Sequence, residues 1–357
     1  MVLKYLPKAW RKGTDFLGTR YAILCGAMTW VSESNLVSAI SNAGGFGVLA
    51  GGNMPPEMLV EEIRKTREKT SFPFGVNMIT VAPNFRSHIE IVVREKVPFA
   101  IFAGSIPSGR DIEIVKSSGA KVLCFSPVLS LAKRLIRQGV DALIIEGNEA
   151  GGHIGPVSTS VLAQEFLLTI EEVPVFVAGG IGTGEMIAQY LSLGAAGAQL
   201  GTRFVVAEEC IAHTRFKEAF IRAQARDAMP TTQFDPSLPT IPVRAIANEG
   251  TQDFNRLQFD LLNKVKAGEM SKEEGQVKLE EFWVGALRRA VLDGDVERGS
   301  LMAGQSVAFA KKIQPVAGII EDLVVAAERK LEEMASAGSE HEVDGHPTMF
   351  RPGLPAR

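Results

Sequence analysis

Cysteine is scarce in this sequence, and its scarcity excludes two common ways of stabilising a fold. The 357 residues include three cysteines, Cys25, Cys124 and Cys210, which lie far apart in the chain. An odd number of widely spaced cysteines forms neither a disulfide framework nor a zinc-binding pattern, and no cluster of His, Cys, Asp and Glu has the spacing of a metal site. We therefore expect free thiols, no metal ligand set and a reducing, cytoplasmic location.

Long apolar runs and an excess of one charge are also missing. No stretch reaches the ~18 apolar residues of a membrane span, and the N-terminus lacks the apolar core of a signal peptide. Lys and Arg number 38 against 41 Asp and Glu, which gives a net charge of −3. This balance does not produce the field that attracts nucleic acid or an acidic membrane. The sequence predicts a soluble protein that acts on a small molecule.

Glycine, by contrast, is abundant, with 35 residues. From Tyr21 onward, short apolar runs alternate with amphipathic stretches at a pitch of roughly 25 residues, which is typical of consecutive βα units. The strand candidates are residues 22–25, 46–50, 74–78, 99–102, 121–125, 142–145, 175–178 and 197–200. Eight strands predict an α/β fold, the (β/α)8 TIM barrel. A doubly wound sheet is the main alternative, but residues 25–30 do not match its dinucleotide-binding fingerprint.

Helix candidates follow the strands, with one gap. They are residues 35–42, 56–68, 85–95, 109–118, 128–138, 159–170 and 184–193. The eighth helix is missing directly after Arg203, and helical spacing returns only at 316–334.

The segment between Arg203 and the last helix has a different pattern. It contains helix candidates at 214–225, 255–267 and 273–292 and a proline-rich link. We interpret residues 206–312 as a mostly helical insertion after strand 8, overhanging the catalytic face. The predicted organisation is a barrel of residues 1–205 plus 313–338, the insertion 206–312 and a flexible tail, 339–357.

Three strand ends lead into glycine loops, at 146–155, 179–182 and 201–203. Backbone N–H groups in such turns hold phosphate, and barrels often place a phosphate site after strands 7 and 8. His153 lies in the first loop, and an unperturbed histidine exchanges protons near neutral pH. We predict that it is catalytic. Glu146, at the strand end, either contacts the ligand, orients His153 or is purely structural.

Four motifs carry a resemblance to a known family. They are Glu149-Ala-Gly-Gly-His-Ile-Gly155, Ala178-Gly-Gly-Ile181, Gly201-Thr-Arg-Phe204 and Gly299-Ser-Leu-Met-Ala-Gly-Gln-Ser306. From about Tyr21 to Met334 the chain resembles the FMN-dependent barrels of the nitronate monooxygenase (2-nitropropane dioxygenase) and enoyl-acyl-carrier-protein reductase II family.

The resemblance implies a non-covalent FMN and a set of residues that contact it. They are Gly26, Ala27, Met28, Asn77, Glu146, Gly151, Gly152, Ala178, Gly179, Gly180, Gly201 and Thr202. The loops 179–180 and 201–202 would hold the phosphate, and Met28 and Asn77 would lie against the isoalloxazine and ribityl parts. The resemblance also implies His153 as the catalytic residue, NADH or NADPH as co-substrate, a possible monovalent cation and a homodimer.

Two branches of the family remain open. Residues 28–30, 75–78, 151–155 and 299–304 are more similar to enoyl reductase II, an enzyme of fatty acid biosynthesis, and Ile154 replaces an arginine of typical monooxygenases. Ala27 departs from both patterns. The first hypothesis is NAD(P)H-dependent reduction of an enoyl thioester, and the alternative is oxidation of nitronates with oxygen. A non-catalytic flavin sensor is the remote third.

A substrate attached to acyl carrier protein would need a basic landing surface. Arg215, Lys217 and Arg222 are the candidates, although on a helix they also fit an ordinary solvated face.

Overall fold

The computed structural model of the chain describes residues 2–343, with side chains up to residue 337. Its strands, in chain order, are β1 (Ile23–Cys25), β2 (Gly47–Leu49), β3 (Phe74–Ile79), β4 (Phe99–Ala103), β5 (Lys121–Phe125), β6 (Ala142–Glu146), β7 (Gly152–His153), β8 (Val175–Ala178), β9 (Gly197–Leu200), β10 (Ala228–Pro230) and β11 (Val243–Ile246). Eight of them form one parallel sheet in the order β1-β9-β8-β6-β5-β4-β3-β2.

Backbone hydrogen bonds close this sheet into a barrel. Cys25 N donates to Phe46 O, and Phe46 N donates to Ile23 O, both at 2.9 Å. Since Phe46 directly precedes β2, these bonds join β1 to the other edge of the sheet. The predicted (β/α)8 barrel is confirmed. Its strands are nearly continuous runs of buried apolar residues because both of their faces are covered.

The helices are α1 (Leu6–Ala9), α2 (Arg11–Leu17), α3 (Ser34–Asn42), α4 (Pro56–Lys69), α5 (Phe85–Arg94), α6 (Gly109–Lys116), α7 (Leu129–Arg137), α8 (Thr159–Leu167), α9 (Gly184–Ser192), α10 (Thr214–Arg222), α11 (Glu249–Lys266), α12 (Lys272–Arg288) and α13 (Val316–Val343). The α13 helix packs against α9 and α3 and is the eighth barrel helix. Of the predicted tail, residues 339–343 continue α13, and residues 344–357 lie outside the described part of the chain.

Two short N-terminal helices escaped the sequence prediction. Phe16 of α2 packs against Phe99 and Phe176, with ring centroids 5.8 and 6.2 Å away. Phe99 begins β4 and Phe176 lies near the start of β8, so α2 covers the amino-terminal end of the barrel. The opposite end, where the strands finish, is left for the loops.

The insertion contains a second sheet as well as the expected helices. Strands β10 and β11 pair antiparallel, and β11 also pairs with β7, which matches Val243 with His153 and Arg244 with Gly152. The expectation of a mostly helical insertion missed these strands. Helices α11 and α12 pack on a separate apolar cluster, Leu238, Val243, Phe254, Leu261, Leu262, Leu279 and Trp283.

Among residues 2–343, no helix combines the length and the apolar composition needed to cross a membrane.

Candidate functional site

The residues expected to contact a cofactor lie at the carboxyl ends of the barrel strands. Gly26 and Met28 follow β1, Asn77 lies within β3, Glu146 ends β6, and Gly201 follows β9. In a parallel barrel these ends share one face, which carries the active site in enzymes of this fold. A Cβ on Gly201 would lie 3.4 Å from Met28 Sδ, so the loops after β1 and β9 are in contact.

The glycines after β8 adopt backbone conformations that other residues rarely take. Gly179 has φ +94° and Gly180 has φ +69°. A Cβ on Gly179 would lie 2.9 Å from Gly147 N and O, and one on Gly180 would lie 2.9 Å from Glu149 Cβ. A side chain at either position would clash with the loop after β6, so these glycines let the loops after β6 and β8 pack in direct contact. Glycine turns at strand ends can present backbone N–H groups to a phosphate such as that of FMN, and we call the turn of Gly179 and Gly180 the cradle.

The fourth motif bridges two of the glycine loops. Gly304 N donates to Thr202 Oγ1 at 2.9 Å, and Gln305 N donates to Glu149 O at 2.9 Å. A Cβ on Gly151 would lie 2.6 Å from Gly304 N. Residues 303–305 thus fix the loop after β6 against the loop after β9.

Glu149 and Thr159 link the loops after β6 and β8, a role that sequence reasoning missed. A Glu149 carboxylate oxygen accepts hydrogen bonds from Thr159 N at 2.9 Å and Thr159 Oγ1 at 2.8 Å. Thr159 Oγ1 also lies 3.0 Å from Gly179 O. The Glu149 carboxylate, bound at the N-terminus of α8, therefore connects the loop after β6 to Gly179 through Thr159. The only sequence signal for this role was the position of Glu149 in the first motif.

Arg244 of β11 is a second missed residue. Its side chain is buried and donates from Nε to Asn148 O at 3.0 Å and from Nη1 to Ala228 O at 2.6 Å. Burial lowers the pKa of Arg244, opposed by the negative charge of Glu149. The guanidinium fastens the insertion to the loop that carries His153.

His153 lies on β7 beneath the insertion. Its backbone pairs with Val243, and Ile154 N donates to Pro242 O at 2.9 Å. The imidazole is partly exposed, and Nε2 lies 3.1 Å from Glu280 Oε2 on α12. The proton-exchanging group is thus held between the barrel and the insertion.

Glu146 is a carboxyl group whose pKa is strongly displaced. Burial raises its pKa to about 7, and the charge of His153 opposes this shift. Such a carboxyl can hold or release a proton near neutral pH. In the parallel register, Glu146 lies opposite Ala178, directly before the phosphate cradle.

The loop after β1 carries a strained aromatic residue. Trp30 has φ +65°, and its indole N–H is buried and without a hydrogen-bond partner among the described residues. Arg288 of α12 lies 5.7 Å from the ring centroid.

Asn77 on β3 is buried, and its Nδ2 donates to Ile101 O at 3.4 Å.

The prediction that Arg215, Lys217 and Arg222 form a basic surface patch on α10 is wrong. Lys217 is buried, and its ammonium donates to Ala207 O at 2.7 Å. Its charge is therefore not on the surface of the helix. Arg215 and Arg222 lie near Glu297 and Glu218 at 3.9 and 3.8 Å. This helix offers no cluster of three free cations.

All three cysteines are free and buried, as expected. Burial raises the pKa of the Cys25 thiol to about 12 and also raises the pKa values of Cys124 and Cys210. These thiols behave as small apolar side chains.

The fold and site together define a (β/α)8-barrel enzyme with glycine-rich loops and a histidine at the carboxyl ends of its strands. The chain belongs to the nitronate monooxygenase family, whose model matches residues 11–85 and 78–326. This family is FMN-dependent, and the chain is an oxidoreductase. The family resemblance predicted from the four motifs is confirmed.

Several relatives are similar over nearly the whole chain. A Mycobacterium tuberculosis (strain ATCC 25618 / H37Rv) protein named (3aS,4S,5R,7aS)-5-hydroxy-7a-methyl-1-oxo-octahydro-1H-indene-4-carboxyl-CoA dehydrogenase is 30% identical, covering 87% of this chain and 91% of its own. A probable nitronate monooxygenase of Staphylococcus aureus (strain MSSA476) is 25% identical, with coverages of 88% and 97%. The structure of FabK from Thermotoga maritima has a TM-score of 0.80 and 36% identity, with coverages of 92% and 98%.

Proposed function

We propose that this enzyme reduces the carbon–carbon double bond of an enoyl thioester, using NADH or NADPH and a bound FMN. The observation that carries this proposal is the similarity to FabK, an enoyl-acyl-carrier-protein reductase II, at 36% identity over 98% of that chain. Such coverage includes the insertion above His153. The name of the mycobacterial relative also denotes a thioester, a carboxyl-CoA. Both names point to acyl groups joined to a thiol carrier.

Residues of the cradle would hold the cofactor. Gly179, Gly180, Gly201 and Thr202 would receive the FMN phosphate, while Met28 would lie against the ring system. When bound, FMN supplies two-electron redox chemistry that no side chain can provide. The chain's own task is then to position the substrate, exclude water and manage one proton.

His153 would donate that proton. Reduction adds a hydride to the β-carbon and a proton to the α-carbon of the enoyl thioester, so an acid must stand on the catalytic face. His153 Nε2 is partly exposed there and has Glu280 as its partner. Glu146, with its pKa raised to about 7, is placed to exchange a proton with the same region.

Oxidation of nitronates is the second candidate. It is favoured by the family model and by the staphylococcal relatives, whose printed names are probable nitronate monooxygenase. His153 would then stabilise the nitronate anion or take a proton from the nitroalkane.

Anaerobic stopped-flow spectroscopy of the flavin-loaded protein tests both candidates. We expect NADH or NADPH to bleach the flavin, and crotonyl-CoA or an enoyl-acyl-carrier-protein to restore its absorbance. Bleaching by propionate 3-nitronate, with no reduction by either nicotinamide, would overturn the reductase proposal. His153→Ala should slow the thioester-dependent step while flavin content stays at the wild-type level.

The same test bears on the carrier. A preference for the carrier-protein substrate over crotonyl-CoA would support acyl carrier protein as partner. The homodimer, the monovalent cation and the cytoplasmic location stay predictions.

A further inference from the structure

Among the described residues, the imidazole of His153 forms a side-chain hydrogen bond with one carboxylate, and this carboxylate comes from the insertion. Nε2 lies 3.1 Å from Oε2 and 3.3 Å from Oε1 of Glu280, which is 127 residues away in sequence. Both side chains are about half exposed, at 44% and 50%. On exposure alone, such a pair would be an ordinary surface contact that contributes little to stability.

The backbones on both sides of this pair are nevertheless fixed. Leu279 and Trp283, on the same helix as Glu280, are buried in the apolar cluster of the insertion. His153 belongs to β7, whose pairing with Val243 holds it in the second sheet. Since neither Cα is free to move, only the rotamer entropy of the two side chains is lost when they meet.

Other charged groups near His153 are differently engaged. Glu146 approaches from the end of β6 and interacts with His153 through its charge. Arg244 neighbours Val243 on β11, but its guanidinium is directed to the carbonyls of Asn148 and Ala228. From α12, Glu280 alone among the described residues forms a hydrogen bond with the imidazole.

We propose that Glu280 is the positioning residue of His153 and holds the imidazole in the orientation from which it gives its proton to the substrate. An ionised carboxylate at this distance stabilises an imidazolium and fixes the direction of its Nε2–H bond. The insertion thereby supplies part of the proton-transfer apparatus as well as a wall over the site. This inference rests on the proposed role of His153, but not on which substrate is reduced.

Glu280→Gln is the informative variant because glutamine keeps the volume and a hydrogen-bond acceptor while removing the charge. Glu281→Gln is the matched control, since Glu281 is the adjacent, exposed carboxylate on α12. The first readout is the rate at which diethylpyrocarbonate modifies His153 in the holoenzyme at about pH 5.5, where an imidazole is mostly protonated, measured by peptide mass spectrometry. The reagent attacks the neutral ring, so the rate in Glu280→Gln should rise about threefold.

His213 serves as an internal reference, because it is exposed and its Nδ1 accepts from Arg215 N instead. Its modification rate should be the same in all three proteins. The second readout is the pH profile of kcat, whose alkaline limb should move to lower pH by about half a pH unit in Glu280→Gln.

Equal modification rates and superimposable pH profiles for Glu280→Gln and Glu281→Gln would overturn the assignment. The chemical modification needs no substrate, so it still decides the role of Glu280 if the thioester proposal fails. Conversely, a changed modification rate with no thioester turnover in the wild type would leave the pair intact and reject the proposed reaction.

Discussion

At the scale of single residues, Glu146 links the stability of the protein to pH. In the unfolded chain its carboxyl has the ordinary pKa of 4.5, whereas burial raises the pKa to about 7 in the folded protein. Between these values the folded protein holds more protons, so the free energy of unfolding falls as pH rises from 4.5 to 7. Above pH 7 the carboxylate is ionised in both states and this loss is complete.

Glu146→Gln removes that ionisation. We expect the variant to be more stable than the wild type at pH 8 by about 1 to 3 kcal/mol, and equally stable near pH 4. Urea unfolding at several pH values measures the difference. A constant difference across the range would show that Glu146 contributes through packing and not through its charge.

Gly180 tests the phosphate cradle. Gly180→Ala introduces a side chain at φ +69° and 2.9 Å from Glu149 Cβ. Gly119→Ala is its control, because Gly119 has φ +88° but no atom within 4 Å of the added Cβ. Both variants should lose about 1 kcal/mol of stability from backbone strain, and Gly180→Ala should lose more because its Cβ clashes with Glu149. Gly180→Ala should in addition weaken FMN binding roughly tenfold in a flavin titration, about 1.4 kcal/mol. Equal FMN affinities would remove the cradle assignment.

Sequence patterns located most of these residues but not their partners. His153 and the paired glycines were predictable because they directly follow apolar runs, and parallel strand ends meet at one face. Glu280, Arg244 and Thr159 were not, since each acts through a contact that depends on how the insertion or a neighbouring helix docks. The burial that displaces the pKa of Glu146 has no local sequence signal either.

At the scale of secondary-structure elements, the second sheet connects the insertion to the catalytic loop. Arg244 provides its buried anchor through the carbonyls of Asn148 and Ala228. Arg244→Met would leave both acceptors without a partner and should cost about 2 to 3 kcal/mol. We expect hydrogen exchange of residues 150–155 to accelerate roughly tenfold.

Arg226→Met is the matched control for this prediction. Arg226 also belongs to the insertion, but its side chain is 82% exposed and lies 3.9 Å from Asp227. Its exchange pattern should equal that of the wild type. If Arg244→Met also leaves residues 150–155 protected, the backbone pairing of β7 with β11 suffices to hold the loop.

The barrel elements were predictable and those of the insertion less so. All eight barrel strands fall within one residue of the predicted ranges because burial on both faces leaves continuous apolar runs. Strands β10 and β11 lie in the proline-rich link, where proline at the end of β10 conceals the strand pattern. Their partner β7 has two residues, too few for any periodicity.

At the scale of the whole molecule, α13 completes the ring of helices around the barrel. A Cβ on Gly184 would lie 2.0 Å from Leu323 O, so α9 and α13 approach each other at this glycine. Gly184→Ala should therefore force the helices apart and cost about 2 to 3 kcal/mol.

Gly318→Ala provides the contrast on α13 itself. There the nearest neighbour of an added Cβ is the flexible Gln314 side chain at 3.8 Å. Because alanine has a higher helix propensity than glycine, Gly318→Ala should stabilise the protein by about 0.5 kcal/mol. Thermal unfolding of the two variants measures both effects, and equal melting temperatures would contradict close packing of α9 on α13.

The position of α13 in the chain also determines when the barrel can be completed during synthesis on the ribosome. The last barrel strand ends at Leu200, but its covering helix begins at Val316, after the insertion. At typical synthesis rates this interval lasts on the order of ten seconds. Throughout that time the nascent barrel keeps the apolar faces of α9 and α3 open to solvent, and the insertion is complete before α13 can dock. The insertion is thus synthesised before the barrel is sealed, and chaperone demand should be greatest within this interval.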